Sequence, residues 1–361
     1  VSHLDFALAL HRAVASDPHE QVCWSPFSVA SALGLLAVGA RGESRQELVA
    51  VLGDLDQLTV TLASAATLRD ASADEEEPSI AVANTLWADA SITVAESFAA
   101  ELSRWSDGSV RTAPFRAEPE KARKEINADV AKTTRGLIPE LLPEGTINSE
   151  TVSALVNALY LKCAWHKKFI EGATQPRAFH TSAGAVDVPT MMVNEQLGYA
   201  EIDGWRVVSL SAVGGVEAVV LLPDGDLASA EPTLTGESLA ELLSAPKPKQ
   251  VALFLPKLTV SSQAELSVPL RALGVRAVFG DEADLMGISP DSLAVQAILH
   301  ESVLKLDEQG FEGAAATAVM MRLMSMPAEP VEVVVDRPFL LFVRHADTGA
   351  VYFMARVTDP S

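Results

Sequence analysis

His300 is followed by Glu301, the opening half of a zinc-binding His-Glu-x-x-His pair, but Leu304 stands where the second ligand belongs. A Gly-x-Ser-x-Gly nucleophile elbow, a Gly-x-x-x-x-Gly-Lys phosphate cradle and a Gly-x-Gly-x-x-Gly dinucleotide turn are all absent from the 361 residues. The seven histidines are scattered, and a single His among apolar neighbours reads first as a hydrogen-bonded core residue. Cys23 and Cys163 are far apart and in no metal-ligating spacing, which excludes a disulfide framework and a zinc ribbon. The expectation is a protein that is not an enzyme, with no catalytic residues, no metal and no cofactor.

A different kind of chemistry lies between Leu306 and Ala318. There a strand-like run enters an acidic turn, Asp307-Glu308-Gln309-Gly310-Phe311-Glu312-Gly313, and continues into Ala314-Ala315-Ala316-Thr317-Ala318. On composition alone this tract is an exposed helix, a flexible linker or a weak strand, with the helix carrying the best intrinsic propensity.

The elements around it divide the chain. Ser25-Pro26 offers an N-cap with proline at the first helical position, before an apolar stretch ending near Gly39. Ser44 and Glu47 have capping-box spacing ahead of Leu48, Val51 and Leu52, with Gly53 as the stop. Further helices are expected at 95–106 and 119–135. Beyond Val152 the pattern changes to Val- and Leu-rich runs at 152–162, 206–211, 216–222, 250–260 and 294–306. Val331–Val335, Phe339–Arg344 and Ala350–Val357 repeat that signal, and Asp347-Thr348-Gly349 predicts a hairpin between the last two. Helices first and strands later, without strict alternation, give an α+β class, and no linker divides residues 1–361 into two cores.

At this point the chain resembles the serpin family, whose members carry a Glu-x-Gly hinge and a small-residue tract shortly before the C-terminus. Matching segments run through nearly the whole chain: Ser25-Pro26-Phe27-Ser28, Gly39-Ala40-Arg41-Gly42, Ala83-Asn84-Thr85-Leu86 and Asn157-Ala158-Leu159-Tyr160-Leu161-Lys162. Trp165, Phe169, Met191-Met192, Leu255-Pro256-Lys257, Arg337-Pro338-Phe339 and Arg356-Val357 complete the series. Each motif is weak alone, and their joint order is highly specific. The resemblance implies three β-sheets with surrounding helices in a single domain, and an exposed reactive-centre loop at about 308–330.

It also implies a suicide-type inhibitor of serine proteases. The target's serine forms an acyl-enzyme with the loop, and the loop then inserts as a strand into the central sheet before water completes hydrolysis. Small side chains suit such a strand, because a bulky or charged group forced into a packed core is costly. Alternation sends Phe311, Gly313, Ala315, Thr317 and Val319 to one face, and Glu312, Ala314, Ala316, Ala318 and Met320 to the other, solvent face. Distance from the hinge places the reactive bond at Met324-Ser325, with Met321, Arg322 and Leu323 as alternative positions before the bond. Met324 suits chymotrypsin-like, elastase-like or subtilisin-like pockets, whereas Arg322 would redirect the loop to trypsin-like enzymes. Phe311 and Gly313 depart from the inhibitory pattern and support the alternative, a non-inhibitory serpin acting as a binding or chaperone protein. Ser25, Ser28, Asn157 and His300 occupy the places of a polar cluster beneath the central sheet, and Trp165 the place where the loop first enters.

The implied partner is a serine protease, held in a covalent complex by a monomeric inhibitor. With 48 acidic against 27 basic residues the formal net charge is −21, which excludes nucleic acid and anionic membrane as expected partners. Around Val60–Glu77 the only cation is Arg69, so heparin-type activation is not expected either. No run is long enough to span a membrane, and no targeting peptide is visible at Val1. Family resemblance favours an extracellular location, while the low cysteine count and alanine-rich chain are also similar to microbial serpins.

Overall fold

The computed structural model describes residues 2–68, 79–102, 108–311 and 329–361. In chain order its elements are α1 (His3–Val14), β1 (Val22–Trp24), α2 (Pro26–Gly39), α3 (Gly42–Leu52), α4 (Leu55–Ala65), β2 (Ser79–Asp89), α5 (Glu96–Leu102), β3 (Gly108–Ala113) and α6 (Pro119–Thr133). Then follow β4 (Ser153–Ala164), β5 (Gln175–Thr181), β6 (Gly184–Ile202), β7 (Trp205–Ala212), β8 (Val216–Pro223), α7 (Leu227–Ala230) and α8 (Gly236–Ser244). The remainder is β9 (Lys247–Pro256), β10 (Leu258–Glu265), α9 (Ser267–Ala272), β11 (Ala297–Leu306), β12 (Gly310–Phe311), β13 (Val331–Val334), β14 (Phe339–His345) and β15 (Val351–Val357).

One sheet runs β10-β11-β12-β4-β2-β3, with β11 and β4 also paired directly. Helix α2 lies under it, apolar on every side and buried over almost its whole length, as a helix between layers must be. Its start is as expected: the Ser25 hydroxyl accepts from the Ser28 N–H at 3.1 Å, and Pro26 needs no partner at the first position. Its last carbonyls are capped by guanidinium groups, Arg41 on Val38 and Ala40 and Arg45 on Ala37. Alternation along β2 sends Val82, Asn84 and Leu86 toward α2, and Ala83 and Trp87 toward α6 on the opposite face. Because both faces are covered, β2 and β4 read as nearly continuous buried runs.

The other strands form a second hydrogen-bonded system, β1-β15-β14-β8-β7-β6-β9-β13, with β5 on β6. The expected second and third sheets are joined in it by β6. This long strand pairs β5 through Gly184–Thr190, β9 through Thr190–Tyr199 and β7 through Gly198–Ile202. The β14–β15 hairpin is present as read from the sequence.

Two local expectations are corrected. The capping box at Ser44 and Glu47 does not form, because α3 already begins at Gly42. Instead, the Ser44 hydroxyl accepts from the Asp284 N–H at 3.0 Å, and the Glu47 carboxylate accepts from Arg276 and Ala277 N–H, both at 2.7 Å. The run 250–260 is two strands in different sheets, divided at Pro256-Lys257, since β9 lies beside β6 and β10 beside β11.

Candidate functional site

The turn after β11 is built by its own first side chain. The Asp307 carboxylate accepts from Gln309 N–H at 2.8 Å and Gly310 N–H at 3.2 Å, which reverses the chain over three residues. Glu308 then points into a small polar socket, accepting from the Thr174 hydroxyl at 2.7 Å and the Lys257 ammonium at 2.9 Å. Partial burial alone would raise its pKa, but these two donors outweigh that and leave it below the ordinary carboxylate value.

Gly310 and Phe311 form β12, one short strand wedged between β11 and β4. Phe311 is opposite Leu306 on one side and Cys163 on the other, and Gly310 is opposite Ala164. Gly310 passes so close to β4 that a Cβ there would lie 2.1 Å from the Cys163 carbonyl oxygen, so only glycine fits. Trp165 holds the mouth from three directions. Its N–H donates to the Gln309 carbonyl and its indole N–H to the Asp307 carbonyl, each at 2.9 Å, while its ring packs on Phe311. Phe311 read as a departure from the small-residue pattern; here its ring is already buried in the core.

Below the wedge β11 and β4 close on each other in parallel, from Ser302 opposite Leu159 down to Ala297 opposite Ala154. The sheet is thus parted at its upper end and shut beneath.

Under the shut part four of the five cluster residues read from the sequence come together, all of them buried. The Asn157 amide donates to the Ser28 carbonyl at 2.7 Å, which turns its oxygen toward His300 Nδ1, 2.6 Å away. His300 Nδ1 therefore carries the proton. Its Nε2 accepts from the Ser25 N–H at 3.0 Å and from the Ser302 hydroxyl at 2.9 Å. Burial pushes the His300 pKa down to about 3, with the Asn157 bond opposing only part of that shift, so the ring is neutral at physiological pH. The fifth, Trp165, sits at the mouth as described. Of the residues read as hinge and inserting loop, Glu308, Gly310 and Phe311 lie in this turn and short strand, whereas Glu312, Gly313, Ala314, Ala315, Ala316, Thr317, Ala318, Met324 and Ser325 lie outside the described residues.

Sequence reasoning missed Ser302, Thr174 and the pairing of Lys257 with Glu308. Ser302 had a usable signal, since it stands two residues beyond His300 and so on the same face of a strand. Thr174 had none, because only the tertiary fold brings it to the hinge. Asn84 extends the polar layer by donating to Ser31 at 2.8 Å.

The family described as Serpin (serine protease inhibitor) matches residues 2–360. Among similar proteins, Serpin-Z2A of Oryza sativa subsp. japonica is 32% identical, the match covering 99% of this chain and 96% of that one. The leukocyte elastase inhibitor of Bos taurus is 32% identical over 95% of this chain and 94% of its own. Human thyroxine-binding globulin in complex with thyroxine superimposes with a TM-score of 0.86 or above at 23–24% identity, and uncleaved ovalbumin with 0.86 at 24%; the matches cover 99% of this chain and at least 97% of theirs. At that identity the structures speak for the fold. With the family match running over residues 2–360 and relatives 32% identical over nearly the whole chain, the chain belongs to the serpins.

Proposed function

We propose that this protein is a suicide-type inhibitor of serine proteases, working as one serpin domain with a reactive loop at about 308–330. The protease serine oxygen attacks the Met324 carbonyl, the bond to Ser325 breaks, and the Ser325 amine leaves with a proton, so that an ester joins inhibitor and enzyme. Insertion of the freed strand then competes with hydrolysis of that ester.

The observation that carries this reading is the wedge. If β12 is extended along its two ladders, Ala315 falls opposite both Ser302 and Leu159, and Thr317 opposite both His300 and Asn157. Ser302–Leu159 and His300–Asn157 are pairs that β11 and β4 now make with each other. The two registers agree, so an entering strand finds the existing pairing in step on both sides. Its small residues face the polar cluster beneath, where the His300–Asn157 contact is the one Thr317 would displace.

The leukocyte elastase inhibitor relative is consistent with an apolar bait such as Met324. The test is to mix the protein with chymotrypsin, elastase, subtilisin and trypsin and look for an adduct stable in SDS, with mass measurement of the released peptide. A peptide beginning at Ser325 together with an adduct supports the reading. Clean cleavage without an adduct removes it and leaves a non-inhibitory serpin.

A further inference from the structure

The segment that returns from α6 to β4 crosses the seam between β4 and β11 on the face opposite α2. At Leu142 it is tied to α6: the Leu142 N–H donates to Asn127 Oδ1 at 2.8 Å, and its carbonyl accepts from Asn127 Nδ2 at 2.9 Å and Arg123 Nη1 at 2.7 Å. One residue earlier, the Leu141 carbonyl accepts from the side-chain amide of Gln263 on β10, beyond β11. Two consecutive residues are therefore anchored to opposite banks of the seam.

The anchors differ in strength. On the β2–β4 bank, Ala83, Trp87, Val156 and Ala158 pack against α6 and its return segment, Arg111 of β3 pairs with Asp129 at 2.6 Å, and the Arg135 guanidinium lies 4.8 Å over the Tyr160 ring. On the β10–β11 bank Leu299 is the buried apolar contact, with Ala297 and Val303 partly buried, and Gln263 supplies the polar one.

We infer that Gln263 is a latch on the seam, a positioning residue that must release Leu141 before a strand can pass its level. Gln263 is in register with Glu301, and Glu301 with Ala158, which is the level Ala316 reaches on the registers given above. A further strand moves the banks apart by about 4.8 Å, more than a hydrogen bond of about 3 Å tolerates. Since α6 stays with the better-packed bank, the Gln263 bond is the contact that parts. Residues up to Ala315 enter with the latch closed; beyond that it is open. Its bearing on inhibition rests on the insertion reading, while its hold on the uncut sheet does not.

The experiment compares the wild type with Gln263→Met, which keeps the side-chain length and removes the donor, and with Gln250→Met, a half-buried glutamine bonded to Asn194 on a different sheet. Hydrogen exchange at Ala154–Leu159 in the uncut protein is expected to rise roughly threefold to tenfold in Gln263→Met alone. Loop insertion after protease cleavage, followed by tryptophan fluorescence, is expected to accelerate by a similar factor and to shift the products toward adduct. Unchanged exchange overturns the latch, as does faster exchange with an unchanged insertion rate in a wild type that inserts. Faster exchange in a protein whose wild type never inserts upholds the latch and overturns the inhibitory reading instead.

Discussion

Trp165 and Phe311 are in contact, their ring centroids 4.6 Å apart and tilted by 57°, with both side chains withdrawn from solvent. Trp165 follows β4 and Phe311 ends β12, so this pair ties the short strand to the end of its neighbour. β12 is thus seated as part of the core, and the contact of these two rings helps to hold it there.

Phe311→Ala is accordingly expected to destabilise the seated strand by about 3 kcal/mol, the ordinary cost of a truncated core phenylalanine. The measurement is hydrogen exchange at the Trp165 N–H, bonded to Gln309, together with tryptophan emission. Exchange and emission indistinguishable from wild type would show that the ring contributes nothing to docking.

The Glu308–Lys257 pair should be worth less than about 1 kcal/mol, because the lysine side chain is 46% exposed. Glu308→Gln is expected to lower the urea midpoint slightly at neutral pH and low salt, and the difference should shrink at high salt. The folded pKa of Glu308 is depressed. Its contribution is therefore present above the unfolded carboxylate pKa and is lost as pH falls through the folded one. Lys257 is raised, chiefly by its bond to Glu308, so its part is complete below the unfolded lysine pKa and fades as pH rises through the folded value. A wild-type–variant difference that is flat from acid to alkali would contradict this pairing.

Acid should weaken the protein through His300. Its folded pKa of about 3 lies below the ordinary 6.5, so between those values the unfolded chain binds a proton that the native protein refuses. Stability from this group is complete above pH 6.5 and falls toward pH 3 by up to about 1.4 kcal/mol per pH unit. Burial moves His3 and His11 in the same direction, which makes the comparison with His300→Gln the informative one. The variant should be less stable at neutral pH and show a shallower loss on acidification; parallel curves for the two proteins would refute the assignment.

Away from the hinge, Glu231 accepts from Arg356 at 2.6 and 2.7 Å and from His11 at 2.8 Å, all three side chains being buried. Burial tends to raise the Glu231 pKa, but His11 and Arg356 outweigh it and hold the group at about 2. Arg356 also donates to the Asp17 carbonyl at 2.7 Å, so the pair ties the last strand to the loop after α1. Glu231→Ala leaves a buried guanidinium without its anion and is expected to cost about 3–5 kcal/mol in thermal or urea unfolding. A loss below about 1 kcal/mol would place the stabilisation in the Arg356–carbonyl bonds instead.

Much of this was legible from the chain because it depends on neighbours in sequence. Ser25-Pro26 starts a helix by local hydrogen bonding, and Asp347-Thr348-Gly349 turns the last hairpin. Where spacing alone was used against tertiary demand it failed: Ser44 and Glu47 have capping-box spacing, yet their side chains serve the loop at 276–284. Likewise 250–260 reads as one apolar run, because hydrophobic pattern carries no information about which sheet a strand joins.

The amino-acid sequence by itself determined the α+β class and the family, and it singled out Ser25, Ser28, Asn157 and His300, which the fold brings together. These follow from periodicity, turn chemistry and motifs whose order is read directly. Only the tertiary structure decided that β12 is already wedged between β11 and β4, that Thr174 and Lys257 hold Glu308, that Ser302 completes the His300 cluster, and that Gln263 reaches Leu141 across the seam. Each joins residues remote in sequence, and their distances are set by strand register and by the packing of α6 on the sheet, quantities that no local pattern encodes.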